Sequence, residues 1–210
     1  MADLSDLAAA ERRDLADYLD TLPEEEWERP SLCPGWSVRD VAGHVSSYDE
    51  LRLPTLLAHF ARSGFSLSRS NQAGVEDSRR LSAEQLVTRL RTNAVPRGIT
   101  AMFGGAIALT DGLIHHQDIR RALGHLRTVP ERRLIAALDF VPRARALPAP
   151  RNARNLRLIA TDIDWSRGSG PEVRGPGEAL LVALAGRHQA LADLSGPGLA
   201  TLAERVQPPP

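Results

Sequence analysis

Leu4, Leu7, Ala8, Leu15, Tyr18, Leu19 and Leu22 recur at the spacing of one helix face, so the chain opens with an amphipathic helix. Ser5 is placed to cap that helix and Pro23 to stop it. The period is lost from Pro23 to Pro34, an irregular segment with Trp27 and Trp36 near its ends. Ser37-Val-Arg-Asp40 has the spacing of a capping box and predicts a second helix from Val38 to about Ala61, kinked or shortened by Pro54. Residues 62–80 are polar and read as a loop. Ser82 with Glu84 and Gln85 opens a third helix that ends near Thr92, and a fourth runs from about Thr100 to Leu123 with Gly124 as its C-terminal cap. Gly104-Gly105 weakens the start of that helix but lets another backbone approach closely. Thr128-Val-Pro-Glu131 is a further capping signature, for a shorter helix to about Phe140.

The pattern changes after Phe140. Pro142, Pro148 and Pro150 mark a linker, and short alternating runs follow at Leu156–Ala160, Ile163–Trp165 and Glu172–Arg174. Alternation and the intervening turn residues predict a small antiparallel sheet. Glu178–Ala185 and Leu199–Val206 are helical by pattern, and the Pro208-Pro-Pro tail is expected to fray. The fold class is therefore α with a small α+β part: a helical bundle over residues 1–143 and a C-terminal unit over 151–207. A unit of that size buries too little surface to be comfortable alone, so it is expected to dock on the bundle and leave a ligand crevice between them.

Composition narrows the function classes. The chain is 42% apolar and 25% charged, which suits a soluble globular protein. Its 26 basic and 26 acidic residues cancel, without the footprint of a nucleic-acid binder. All the basic residues are arginine, a coding bias and not a chemical signal. Cys33 is the only cysteine, so no intrachain disulfide is possible and a reducing compartment is compatible. The start Met1-Ala-Asp-Leu-Ser lacks the basic and apolar regions of a signal peptide. No apolar run approaches the roughly 20 residues that span a bilayer. The reading is a cytoplasmic protein with neither a nucleic-acid nor a membrane partner.

Candidate chemistry concentrates in Asp111-Gly-Leu-Ile-His115-His116-Gln-Asp118. Asp111 and His115, four apart, stack on one helix face and can share one divalent ion. His44, about two turns into the second helix, is the best third ligand. Two imidazoles and a carboxylate suit zinc with a position left open for water or substrate, and other divalent ions as well. Asp118, three residues after His115, either orients an imidazole by a hydrogen bond or supports the metal from behind. The bland alternative for Asp111 and His115 is a solvated helix pair. His116 points about 100° away from His115 and reads as packing or surface. His59, His125 and His188 carry no spacing signal, and Cys33 reads as packing within the loop before Pro34-Gly35, with a metal-competent thiol as the lesser alternative.

Trp27…Pro30-Ser-Leu-Cys-Pro-Gly-Trp-Ser-Val-Arg-Asp-Val-Ala-Gly-His44-Val resembles the N-terminal motif of the mycothiol-dependent maleylpyruvate isomerase family, within the DinB-like metal-binding four-helix bundles. Asp111-Gly-Leu-Ile-His115-His-Gln-Asp118-Ile-Arg-Arg-Ala-Leu-Gly looks like the family's second metal motif. Trp165…Gly175-Pro-Gly-Glu-Ala-Leu-Leu…Ala185-Gly-Arg187 is similar to the small, sterol-carrier-like C-terminal domain of such proteins. The resemblance implies that His44, Asp111 and His115 hold a divalent metal, zinc first, with Asp111 where the isomerase has glutamate. It implies mycothiol as thiol cofactor, and Arg187 as a pocket arginine that holds a substrate carboxylate. The implied function is a metal- and mycothiol-dependent thiol transferase or isomerase acting on a small, carboxylate-bearing electrophile. The alternative on the same scaffold is a non-catalytic metal- or ligand-binding protein.

Overall fold

The structure, a computed structural model, describes residues 3–45, 47, 64 and 66–206, with backbone alone for residues 67 and 68. Its contacts divide the chain into two units, Met1–Arg127 and Thr128–Pro210.

The first unit is helical among the described residues. Helix Leu4–Leu19 starts from Asp3, whose extended backbone takes the cap position without a side-chain bond. Ser5 therefore lies inside the helix and does not cap it, a correction to the sequence reading. Ser37 and Asp40 do form the predicted capping box for helix Val38–Val45, each accepting the other's backbone N–H at 3.3 and 3.2 Å. The predicted continuation to Ala61, with Pro54 and His59, falls outside the described residues. Helix Ala83–Thr92 carries the predicted Ser82–Gln85 capping box.

Residues 67–78, read from the sequence as loop, form a helix capped by the Ser66 hydroxyl. They were illegible because, among residues 69–78, Val75 is the only buried apolar side chain and the other buried positions are the serines 70 and 78. Ser78 and Gly74 meet Gly43 and Ser47: a Cβ on Gly43 would lie 2.6 Å from that of Ser78, and one on Gly74 would lie 3.3 Å from the Ser47 Oγ. Such a face contributes through close backbone approach and dispersion, which a hydropathy pattern does not register. The Arg79 guanidinium after this helix closes a two-pronged bond on Asp40 at 2.8 and 3.0 Å.

The fourth predicted helix starts at Ala106 and not at Thr100. Met102, Phe103 and Gly104 leave helical geometry, and Gly105 takes φ +95°. A Cβ on Gly105 would stand 2.8 Å from the Ser5 Cα, so the glycine pair does admit a close backbone. Helix Ala106–Leu123 ends on Gly124 in the left-handed region, as the sequence predicts. Leu15, Leu19, Val38, Val41, Val45, Leu86, Leu90, Ile119 and Leu123 form the core between these helices, joined by Trp27 and Cys33. Each fully buried leucine or valine contributes about 1.5–3 kcal/mol by leaving water.

The second unit begins before the proline-rich linker. Helix Glu131–Phe140, assigned from sequence to the bundle, packs with helix Gly177–Leu184, where Gly177 meets Leu134. Its cap position is Pro130, so Thr128 does not cap it. Three strands lie in the order β2-β1-β3: β1 Arg157–Ala160, β2 Ser166–Gly168 and β3 Glu172–Gly175. The predicted strand at Ile163–Trp165 is instead a turn that closes with Trp165 N–H on the Ile163 carbonyl at 2.9 Å. Trp165 turns inward, and its indole N–H donates to Asp139 at 3.0 Å. The sheet is also mixed, not antiparallel: β1 pairs antiparallel with β2 and parallel with β3. The chain crosses β1 after β2, which short alternating runs cannot reveal. Helix Gly177–Leu184 is buried along its length, and helix Leu199–Val206 follows.

Candidate metal centre

Helices Val38–Val45 and Ala106–Leu123 pack against each other and present the three singled-out side chains to one point. His44 Nε2 lies 3.8 Å and His115 Nε2 lies 3.5 Å from Asp111 Oδ1. One donor atom from each residue falls within 4.8 Å of the others. Donors about 2.05 Å from a tetrahedral centre stand roughly 3.3 Å apart. The observed triangle is therefore slightly wider than a closed site and needs only small side-chain adjustment. His44 and His115 are buried, whereas Asp111 keeps 38% of its side chain exposed. Asp111 is thus the least enclosed of the three residues.

Asp118 settles how His115 faces this point. Its carboxylate, completely buried, takes the His115 Nδ1–H at 2.9 Å. In the neutral ring Nε2 then carries the lone pair, and that lone pair faces the Asp111 oxygen. Two electron-rich atoms so placed need a positive charge between them, either a proton or a cation. The electrostatics agree. Burial pushes the Asp111 carboxyl up, but His115 first and then His44 outweigh it and hold the group far below the usual carboxylate range. Burial opposes charge on His115, yet the Asp111 carboxylate beside it draws its affinity for a proton well above the ordinary histidine range. The donor set fits a divalent ion, with a carboxylate orienting one ligating imidazole from behind.

The loop before helix Val38–Val45 closes over the two rings. The Trp36 ring centroid lies 5.1 Å from that of His44 and 6.4 Å from that of His115, and its N–H donates to Gln72 at 3.1 Å. Cys33 Sγ donates to the same Asp118 oxygen at 3.1 Å and stands 3.6 Å from His115 Nδ1. Cys33, His115 and Asp118 form a second buried group of potential ligands.

His116 is neither surface nor simple packing. It is fully buried on the other side of its helix, donating Nδ1–H to Glu11 at 2.9 Å and accepting from Arg120 Nε at 2.9 Å. Arg127 bonds the same Glu11 carboxylate and also Gln117, the latter at 3.2 Å. Burial pushes the His116 imidazole down to about 4, against the pull of Glu11. Burial works against charge on Glu11, but His116 and Arg127 bring that carboxyl to about 2. Sequence reasoning missed this network. The one available signal was Glu11-Arg12 sitting where the apolar stripe of the first helix runs from Ala8 to Leu15. Arg187 belongs to the second unit, half-buried, with its guanidinium donating to the Ala185 carbonyl at 2.8 Å. Of the remaining histidines, His125 bonds the Tyr18 hydroxyl at 2.9 Å and His188 is exposed.

No helix among the described residues is long and apolar enough to cross a membrane. Residues 8–102 match the family model of the mycothiol maleylpyruvate isomerase N-terminal domain, a span that includes His44 and stops before Asp111. The crystal structure of a histidine-to-alanine mutant of mycothiol-dependent maleylpyruvate isomerase is similar to this chain at a TM-score of 0.52 and 18% identity, over 94% of this chain and 96% of that one. A second crystal structure of mycothiol-dependent maleylpyruvate isomerase aligns at 16% identity and a TM-score of 0.47 over the same shares. No curated protein sequence matches the chain. Residues 8–102 are thus similar to the mycothiol maleylpyruvate isomerase N-terminal domain, on a chain that shares the fold of that isomerase.

Proposed function

We propose that this protein is a metal- and mycothiol-dependent thiol transferase or isomerase acting on a small, carboxylate-bearing electrophile. The observation that carries the reading is the meeting of His44, Asp111 and His115, with Asp118 behind His115. A divalent ion held there, zinc first, would lower the pKa of a bound thiol and supply thiolate at neutral pH. The reaction class is thiol addition to an electrophilic double bond, ending in elimination for an isomerase or a retained adduct for a transferase.

The chain's own groups have defined parts. Asp118 keeps the His115 Nε2 lone pair turned to the site. Trp36 shields both imidazoles from water on one side, and the exposed edge of Asp111 leaves an approach on another. Arg187, assigned by likeness to the family, holds the substrate carboxylate by paired hydrogen bonds. Its replacement by methionine is expected to raise KM more than it lowers kcat.

The test uses purified full-length protein, elemental analysis, and mycothiol with a panel of conjugated acids and other electrophiles. The expected result is about one divalent ion per chain and thiol-dependent conversion of at least one acid, lost in His44→Ala. Bound metal without thiol chemistry across the panel would establish the alternative, a metal-binding protein that does not catalyse. Absence of bound metal after reconstitution would remove both readings.

A further inference from the structure

In the Cys-Pro-Gly-Trp turn only Trp36 has a part in the function proposed above, yet the first residue, Cys33, also reaches the centre. Cys33 Sγ donates to Asp118 Oδ2 at 3.1 Å, the same oxygen that takes the His115 Nδ1–H at 2.9 Å. The backbone joins in: Leu32 N–H donates to the Asp118 carbonyl at 3.1 Å. Cys33 is in turn fixed by its own N–H on the Ser31 hydroxyl at 3.1 Å, and its carbonyl accepts from Trp36 N–H at 3.1 Å. Cys33 is buried, and Asp118 fully so, where a fixed hydrogen bond decides how a side chain is aimed.

We infer that Cys33 is a positioning residue for His115: its thiol holds Asp118 in the rotamer that keeps the proton on Nδ1 and aims Nε2 at the metal centre. The bond runs from one motif to the other, 85 positions apart, and ties the turn that carries Trp36 to the helix that carries Asp111 and His115. A small thiol suits the place. It donates a weak hydrogen bond while remaining apolar enough to sit in the core cluster with Trp27 and Val38. The inference rests on the metal reading for its consequence, but its geometric part concerns the chain alone.

The experiment compares wild type, Cys33→Ala and Cys33→Ser as full-length chains. Two readouts are taken. One is the His115 tautomer in the metal-free protein, from long-range ¹H–¹⁵N correlation of the imidazole ring at a pH high enough to hold that ring neutral in each variant. The other is zinc affinity by competition with a chelator, with the visible spectrum of the cobalt form as a check on geometry. Cys33→Ala is expected to convert a single Nδ1–H tautomer into a mixture and to weaken zinc binding by about 10- to 100-fold, the usual cost of losing an orienting partner. Cys33→Ser, which keeps a donor, is expected to restore both within a few-fold. A wild-type tautomer and affinity in Cys33→Ala would overturn the inference, as would a Cys33→Ser variant as impaired as Cys33→Ala. Should Cys33→Ala not fold, Cys33→Val fills the space without a donor and takes its place. Failure of wild type to bind zinc would sink the metal reading, while the tautomer comparison would still decide the role of Cys33.

Discussion

At the scale of single residues, the described bundle holds two buried polar groups on opposite sides of helix Ala106–Leu123. One is the His44–Asp111–His115 centre with Asp118; the other is the Glu11–His116–Arg120–Arg127 network. In the second, Glu11, His116, Arg120 and Arg127 are held by hydrogen bonds and ion pairs to one another, which marks it as structural. Glu11 binds fewer protons in the folded than in the unfolded chain, because its carboxyl is lowered from 4.5 to about 2. Its contribution is therefore complete above about pH 4.5 and is lost as pH falls toward about 2, an order-of-magnitude effect of ~3 kcal/mol. Urea unfolding of wild type and Glu11→Gln should show a gap of a few kcal/mol at pH 7 that narrows steadily below pH 4.5; a gap independent of pH would contradict this assignment. Asp111 and His115 were legible as a pair because four-residue spacing is a helical distance. Glu11 and His116 lie 105 positions apart and had no such link. Asp118, three residues from His115, could be named but not assigned until the two were seen at 2.9 Å.

Elements were legible where their ends or faces carry a chemical mark. Ser37 with Asp40, Ser82 with Gln85, and Gly124 all do what their residue types predict. Helix Leu67–Ser78 was missed because a single apolar residue, Val75, is buried among residues 69–78, while Ser70, Gly74 and Ser78 look like loop until another backbone is laid against them. That crossing is tight enough to test. Gly43→Ala places a Cβ 2.6 Å from that of Ser78 and is expected to lower stability by about 1–3 kcal/mol. Adding Ser78→Gly should return most of the loss, a coupling seen in a double-mutant cycle by thermal or urea unfolding. Additive losses would mean the two backbones do not meet there. Since Gly43 precedes His44, the single substitution is also expected to weaken metal uptake.

At the scale of the whole molecule, a site assembled from two helices makes binding and folding one equilibrium. Zinc at about 100 times its dissociation constant should stabilise the protein by about 2.7 kcal/mol, with the gain removed by a chelator and absent in His44→Ala and His115→Ala. A melting temperature indifferent to zinc in calorimetry would count against the centre. The sequence by itself determined a mostly helical chain with a small sheet near its end, the helix that bears Asp111 and His115, and the resemblance to an isomerase family. Those properties follow from local spacing and residue type, which the chain carries wherever it goes. Only the tertiary structure decided that His44 lies beside that pair, that Cys33 and Leu32 grip Asp118, that His116 is enclosed by Glu11 and Arg120, and that β3 runs parallel to β1. Each joins residues far apart in sequence, and their meeting depends on how helices and strands pack against one another, which no periodicity within one segment encodes.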